Sequence, residues 1–160
     1  GVYSLLRVFV MVFKQPGAEF ALDVILVLSG FTMLLGVMGA MCQWEIRRIL
    51  SWHIISQVGY MLMGIGMAGI IISGDPTLTE AVKKMAIAGT IFYIVHHIIV
   101  KSCLFLVGGI AERVTGTQRL KEMGSAVELA PGVAGLFLVA AFSLAGMPPF
   151  SGFFAKFVFF

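Results

Sequence analysis

The segment IFYIVHHIIVKSCLFLVGG, residues Ile91–Gly109, decides the fold of this chain. It predicts a membrane-spanning helix, since such a helix needs about 20 mostly apolar residues. Near its middle it contains His96, His97 and Lys101. A lysine at the centre of a bilayer costs about 2.5–3.5 kcal/mol on insertion scales, and ionisable residues at this depth mostly mark ion or proton paths. The segment therefore predicts both a membrane protein and candidate residues for proton transfer.

The three ionisable residues do not share one helix face. His97 and Lys101 are four residues apart, so they lie on one face about a turn from each other, while His96 points elsewhere. Two structural explanations compete with a proton path: Lys101 extends to the lipid headgroups, or His96 only hydrogen-bonds a neighbouring helix. The first is disfavoured because an apolar stretch, Ser102–Ile110, separates Lys101 from Glu112, the next charge. The spacing favours a functional role for His97 and Lys101. For His96, a role in the proton path and a purely structural hydrogen bond both stay open.

The composition of the whole chain also predicts a membrane protein. Of its 160 residues, 59% are hydrophobic and 12% are charged, whereas a soluble domain carries about 25% charged residues. The net charge of +3 rests on few charged residues, so it bears on membrane orientation rather than on nucleic-acid binding. Cys42 and Cys103 lie in apolar stretches and are expected to be small buried residues. The sequence contains no CxxC, HExxH, haem or nucleotide motif, so neither a cofactor nor a metal is predicted.

Apolar runs separated by polar or turn-forming residues predict the spans of an all-α polytopic membrane protein. The chain opens and closes inside apolar runs, which predicts a piece of a longer protein and a single, partial transmembrane domain. Glycines within the runs, among them Gly30, Gly36 and Gly59, predict close approach between helices. The expected spans are residues 1–13 (partial), 20–42, 53–72, 85–110 and 131–160 (broken and partial).

The basic residues of the loops predict the orientation of the chain. Cytoplasmic loops are enriched in lysine and arginine. Loops Gln43–Trp52 and Ala111–Ala130 carry more of them than the other two loops, so both are predicted to face the cytoplasm, and Ser73–Lys84 the opposite side. The larger set is Arg47, Arg48, Arg113, Arg119 and Lys121, and the smaller set is Lys14, Lys83 and Lys84.

The last span contains a predicted break. Gly146, Pro148, Pro149 and Gly152 interrupt its apolar run, and Lys156 follows. A helix broken at membrane depth is tolerated only where protein or a water-filled cavity satisfies the freed backbone groups. In transporters such breaks commonly build ion sites. The alternative is an ordinary loop in which Lys156 marks the membrane interface.

Three stretches resemble a known family: EIRRILSWHIISQVGYMLMGIG, HHIIVKSCLFLVGGIAERVTGT and SLAGMPPFSGFFAKF. They are similar to the antiporter-like subunits that Mrp-type Na⁺/H⁺ antiporters share with respiratory complex I, and the similarity covers essentially the whole chain. Within this superfamily, IRRILSWHIISQVGYM and HHIIVK look most like the D-type subunits of Mrp antiporters. The resemblance implies that the chain is a fragment of a 14-helix antiporter-like subunit, from the latter part of family helix 8 to helix 12.

The same resemblance implies roles for individual residues. His97 matches the histidine of family helix 11, Lys101 matches a lysine found in some members, and Lys156 matches the lysine of broken helix 12. In the family such protonatable residues lie along a hydrated path at mid-membrane. The family's helix 8 lysine and the glutamate and lysine of helices 5 and 7 fall outside this chain. The implied proton-path residues are therefore His97, Lys101 and Lys156, with His96 as the weaker candidate.

Together these features predict a proton-translocating membrane subunit of a multisubunit monovalent cation (Na⁺)/proton antiporter, a secondary-transport subunit rather than an enzyme. The alternatives are a homologous proton-pumping subunit of NADH:quinone oxidoreductase or of a membrane-bound hydrogenase, and a structural membrane subunit without conduction. Sodium prefers oxygen ligands and the spans offer few carboxylates, so proton handling is assigned to this segment and the cation site elsewhere. The expected partners are other membrane subunits of the same complex, protons, a monovalent cation and the lipid bilayer, without nucleic acid. The expected location is the plasma (inner) membrane of a bacterium or archaeon.

Overall fold

A computed structural model describes residues 1–12, 18–69, 76–124, 128 and 130–157, and the structural statements below refer to these residues. Within them the secondary structure is helical and no β-strand is present, which confirms the predicted all-α fold. A single 3₁₀ turn covers Leu120–Glu122. The α-helices are α1 (Val2–Leu6, continued as a π-helix over Arg7–Val12), α2 (Ala18–Met41), α3 (Ile46–Met67), α4 (Pro76–Thr115), α5 (Pro131–Ala145) and α6 (Ser151–Phe157).

Three of the described helices, α2, α3 and α4, are long and apolar enough to cross a membrane, and α5 is a shorter apolar helix. With 40 residues, α4 is the longest. At 1.5 Å per residue it measures about 60 Å, roughly twice the thickness of a bilayer's hydrocarbon core. The predicted polytopic membrane protein is thereby confirmed, with one helix that continues well beyond the apolar region.

The helices extend into segments that were predicted as loops. α3 begins at Ile46, so residues 46–52 are helical, and α4 begins at Pro76. The charges of the first turn of α3 are paired: Arg47 contacts Glu112 at 2.6 Å, and Arg48 contacts Glu45 at 2.8 Å. The predicted span ends at 13, 72 and 160 lie outside the described residues, and the positions of the spans in the membrane stay a prediction.

α4 is the central helix of the fold. It packs against α3 on one side and against α5 and α6 on another. One apolar cluster joins the start of α3 to α4 and α5, and a second joins the middle of α3 to α4 and α6. The first contains Ile46, Leu50, Val100, Leu104, Ala140 and Leu144, and the second contains Met61, Tyr93 and Ala155. The ionisable residues of α4 therefore face protein on two sides.

α2 and α3 approach closely where glycine allows it. A Cβ atom added at Gly36 would lie 2.8 Å from the Cα of Ser56, and one added at Gly59 would lie 2.9 Å from the backbone nitrogen of Met33. Such backbone-to-backbone contact is typical of membrane helix pairs with small residues at the interface. The prediction of close packing was wrong for Gly30, where an added Cβ atom meets no described atom within 4 Å.

The break in the last predicted span is present. α5 begins with Pro131 and ends at Ala145, and Gly146 follows in the left-handed conformation with φ 83°. Glycine adopts this conformation without the steric penalty of a Cβ atom, which is why it commonly ends helices. The chain then turns through Pro148 and Pro149 before α6 begins at Ser151. Two short helices thus replace one continuous span.

The two predicted cytoplasmic loops meet at one end of the bundle. The backbone nitrogen of Ile46 donates to the carbonyl of Gln118, and that of Leu120 donates to the carbonyl of Trp44, both at 3.1 Å. The ammonium of Lys121 lies 4.3 Å from the Trp44 ring. The pairing fixes the start of α3 relative to the end of α4.

Candidate functional site

The ionisable residues of α4 are buried in the bundle. His96 and His97 are each 7% exposed and Lys101 is 4% exposed. The Nζ atom of Lys101 donates a hydrogen bond to the carbonyl of Leu50 on α3, at 3.1 Å. Lys101 therefore reaches into the α3–α4 interface and does not extend along α4 towards a headgroup.

His97 lies on the same side of α4 and also faces α3. Its ring stacks on that of Tyr93, with the ring centroids 6.5 Å apart and the planes at 18°. The hydroxyl of Tyr93 in turn donates to the Oε1 atom of Gln57 on α3. The Nε2 atom of His97 is buried and has no hydrogen-bond partner among the described residues. Because buried polar atoms are nearly always hydrogen-bonded, this nitrogen is a candidate for exchanging a proton with a mobile partner.

His96 faces the broken helix instead. Its Nδ1 atom lies 3.1 Å from the hydroxyl of Ser151, which lies 3.2 Å from the hydroxyl of Ser143 on α5. His96 therefore makes a hydrogen bond to a neighbouring helix, as the structural explanation of this residue expects. An imidazole at the end of a chain of two hydroxyl groups can also pass a proton, so the contact is compatible with a structural role and with a role in the path.

Lys156 is held at the break. Its Nζ atom donates to the carbonyls of Leu144 at 3.2 Å and Ala145 at 3.3 Å, and lies 5.4 Å from the Tyr60 ring centroid. The last carbonyls of a helix lack intrahelical donors and carry partial negative charge, so they stabilise the ammonium. A Cβ atom at Gly146 would lie 3.2 Å from the Cδ of Lys156, so glycine also makes room for this side chain.

Electrostatic interactions connect these residues across the three helices. His97 interacts with Lys101, and His96 interacts with Lys156. His53, on α3, interacts with both lysines. The two ends of the cluster are thus joined through α3 as well as through the adjacent histidines of α4.

The ion-paired carboxylates of the described residues lie away from the cluster. Among the described residues the ion pairs are Arg47–Glu112, Arg48–Glu45, Lys83–Glu80 and Arg119–Glu122, and all four lie outside it. No group of three His, Cys, Asp or Glu side chains in the described part of the chain is arranged to hold a metal ion. The neutral and cationic side chains of the cluster suit the transfer of protons better than the binding of a cation by side-chain carboxylates.

The sequence interpretation assigned no residue of α3 to the site, although it marked Gln57 as a buried polar residue that needs a partner. His53, Gln57 and Tyr60 are spaced four and three residues apart, so they form one polar stripe on α3. Each of them faces a member of the cluster: His53 the two lysines, Gln57 the hydroxyl of Tyr93, and Tyr60 the ammonium of Lys156. The helical spacing of three polar residues within an apolar span could have identified them from the sequence.

Comparison with known proteins identifies the family of this chain. The family model described as NADH:quinone oxidoreductase/Mrp antiporter, TM, matches residues 1–160. The chain is 48% identical over 158 residues to the D subunit of the Na⁺/H⁺ antiporter of Alkalihalophilus pseudofirmus, an alignment that covers 98% of this chain and 29% of that protein.

Two further relatives have related names. The chain is 32% identical over 157 residues to the D subunit of the Na⁺/H⁺ antiporter of Bacillus subtilis, with 98% of this chain and 29% of that protein covered. It is also 32% identical over 136 residues to the A subunit of the Na⁺/H⁺ antiporter of Alkalihalophilus pseudofirmus, with 83% and 17% covered. The chain spans less than a third of the length of these relatives.

Proposed function

Because this chain belongs to the family of membrane subunits shared by NADH:quinone oxidoreductases and Mrp antiporters, we propose that it handles protons in a multisubunit Na⁺/H⁺ antiporter. In that role it is part of a proton-translocating subunit in the plasma (inner) membrane of a bacterium or archaeon. Its partners are the other membrane subunits of the same complex, and its substrates are protons and a monovalent cation.

The observation that carries this proposal is the placement of two lysines and two histidines, three of them buried and Lys156 half-buried, at helix interfaces inside an apolar bundle. Three of them, His96, His97 and Lys101, are at most 7% exposed. Ionisable side chains in membrane helices are costly, and those that are present mostly serve ion or proton pathways. A purely structural subunit would have no need of four such groups in one cluster.

The proposed proton path has two ends. Lys101 and His97 form one end, in the α3–α4 interface, and Lys156 forms the other, at the break between α5 and α6. His96 lies between them and contacts the hydroxyl of Ser151, beyond the break. Each of these side chains can bind and release a proton, and a change of charge on one alters the proton affinity of its neighbours.

The second candidate is a proton-pumping subunit of an NADH:quinone oxidoreductase, since the matching family model names that complex too. The residues of the path are the same under both functions. The 48% identity to the D subunit of an antiporter supports the antiporter. In membrane vesicles, proton exchange that starts on adding Na⁺ without NADH supports the antiporter, and exchange that requires NADH supports the oxidoreductase.

A substitution of Lys101 tests the proposed function. The change Lys101→Ala is made in the full-length subunit within its complete complex, and Na⁺-dependent dissipation of a pH gradient is followed in membrane vesicles. We expect exchange to fall by roughly a hundredfold or more, the scale that a positioned proton-transfer group contributes, while the complex still assembles.

Lys121→Ala is the matched control. Lys121 is also a lysine, but it is exposed and lies against Trp44 at the end of the bundle, so its removal should leave exchange unchanged. An assembled Lys101→Ala complex that exchanges at the wild-type rate would show that the buried cluster is structural and that this segment does not conduct protons.

A further inference from the structure

His53 lies on α3, next to the proposed path, and has no role in that path so far. We infer that His53 is an additional proton carrier, which exchanges protons with His97 across the α3–α4 interface and thereby links the Lys101 end of the path to the Lys156 end. The inference rests on the proposed function of proton transfer and adds a residue and a route to it.

The register of the two helices brings His53 level with His97. α3 and α4 are antiparallel, and two cross-helix hydrogen bonds fix their alignment: Lys101 with the Leu50 carbonyl, and Tyr93 with Gln57. His53 lies three residues after Leu50, and His97 lies four residues before Lys101. At 1.5 Å per residue these steps are about 4.5 and 6 Å, so the two histidines differ in height by only about 1.5 Å.

The two imidazoles also lie on the faces that meet. His53 is four residues before Gln57, and His97 is four residues after Tyr93, so each lies one turn from a residue of the Tyr93–Gln57 hydrogen bond. His53 and His97 interact electrostatically. Both the alignment along the helices and the direction around them therefore pair His53 with His97.

Both imidazoles have a buried nitrogen that the described residues leave unsatisfied. These are Nδ1 of His53 and Nε2 of His97. Buried polar atoms without a partner are rare, and they are often found where a group has a catalytic role or an ordered water bridges two groups. The two atoms do not hydrogen-bond each other. On facing histidines at the same height, they indicate a contact that is bridged by a water molecule.

The electrostatic environment assigns His53 its place in the route. His97 interacts with Lys101 and His96 with Lys156, whereas His53 interacts with Lys101 and with Lys156. A proton on His53 is therefore sensitive to the charge at both ends of the path. This position is suited to a residue that passes a proton between the two lysines.

The transfer step is a simple exchange between imidazoles. An imidazolium at His97 gives the proton on Nε2 to the bridging water, which passes one of its own protons to Nδ1 of a neutral His53 that carries its own hydrogen on Nε2. His97 becomes neutral and His53 becomes the imidazolium, so the total charge is unchanged. The proton then leaves His53 towards Lys156, after that lysine has released its own proton.

The groups around His53 define how its protonation should respond to pH. α4 contributes His97, Lys101 and the hydroxyl of Tyr93, and α6 contributes Lys156. The acidic residues of α2, Glu19 and Asp23, lie in its first two turns. This end of α2 is far from His53, since Leu22 packs near Gly69 at the other end of α3. Cationic neighbours thus dominate, and replacing His53 should change the pH dependence of transport as well as its rate.

The test uses His53→Gln and His53→Ala in the full-length subunit, assembled in its complete complex, with Na⁺-dependent proton exchange measured in vesicles between pH 6 and 9. Glutamine keeps the size and hydrogen bonding of the side chain but cannot carry a proton. We expect both variants to lose roughly tenfold or more of the exchange rate, a moderate fraction of what a proton-transfer group contributes, and to shift the pH profile. Ser56→Ala, a buried polar change on the α2-facing side of α3, is the matched control and should match wild type.

The outcomes separate this inference from the proposed function. If His53→Gln exchanges protons with the rate and pH profile of wild type while Lys101→Ala is inactive, His53 is a packing residue and the path runs without it. If His53→Ala is inactive and His53→Gln is fully active, the role is likewise structural. A double variant of His53→Gln with His97→Ala that loses no more activity than the single variants supports one shared route. Should His53→Ala fail to assemble, the glutamine variant carries the test.

Discussion

The buried Lys101 and the half-buried Lys156 are held by backbone carbonyls and not by carboxylates. Lys101 donates to the carbonyl of Leu50, and Lys156 donates to the carbonyls of Leu144 and Ala145. A carbonyl can hold an ammonium without the full attraction of a negative charge, so the lysine remains able to release its proton. A lysine paired with a buried carboxylate would be far harder to deprotonate.

A substitution of Lys156 distinguishes a role of its positive charge from a role in proton transfer. Lys156→Arg preserves a positive charge at the break, but arginine does not release its proton in proteins. We expect the arginine variant to assemble and to lose proton exchange almost as completely as Lys156→Ala, measured as Na⁺-dependent dissipation of a pH gradient in vesicles. Exchange at the wild-type rate in an assembled Lys156→Arg complex would rule out deprotonation at this position.

The pairing of α2 with α3 depends on small residues at the points of contact. Gly36 lies against the backbone of Ser56, and Gly59 lies against Met33. Membrane helices gain little from hydrophobic association, because lipid is as apolar as the side chains. Their close packing must therefore come from shape, and a side chain inserted between the two backbones should separate them.

Gly36→Leu tests this packing, and α2 supplies its own control. The leucine would meet the Ser56 backbone, so we expect a destabilisation of at least about 1–3 kcal/mol, the usual cost of overpacking. Gly30→Leu makes the same change on the same helix where an added Cβ atom meets nothing within 4 Å. Thermal stability of the solubilised full-length subunit is the measurement. Equal melting temperatures for the two variants would mean that α2 and α3 are not held by this contact.

The break between α5 and α6 combines a local and a distant cause. Gly146 turns the chain with φ 83°, and the prolines that follow cannot continue a helix. The freed carbonyls at the end of α5 are then satisfied by Lys156 from α6. The break and the lysine thus depend on each other, because the carbonyls hold the ammonium and the ammonium satisfies the carbonyls.

Seen as a whole, the described chain has one charged end. The loop before α3 and the segment after α4 pair with each other there, through the Trp44–Leu120 and Ile46–Gln118 backbone contacts and the Arg47–Glu112 ion pair. The excess of lysine and arginine in these segments predicts that this end faces the cytoplasm.

Cysteine labelling tests that orientation. In a background with Cys42→Ser and Cys103→Ser, we expect Lys121→Cys to react with a membrane-impermeant maleimide only from the cytoplasmic face, since Lys121 is exposed at the charged end. Ser73→Cys should react only from the opposite face. Labelling with the two sides exchanged, in right-side-out and inside-out vesicles, would reverse the assignment.

The features that could be predicted from the sequence are those that depend on residues close to one another in the chain. A helical membrane fold follows from the length and apolar character of each run. The break follows from Gly146 and the adjacent prolines, whose backbone preferences are local. Likewise, the presence of His96, His97 and Lys101 within an apolar span is enough to nominate them as candidates for the proposed path.

Contacts between helices were decided only by the tertiary structure. Helical spacing places His96 and His97 on different faces of the helix. It does not predict that His96 faces Ser151 or that His97 faces α3. Nor does it place Lys101 on the carbonyl of Leu50, 51 residues away along the chain, or distinguish Gly36 in contact from Gly30 in open space. The physical reason is that the period of a helix fixes which residues share a face, whereas the register and the partner of that face are set by side-chain packing between segments distant in sequence.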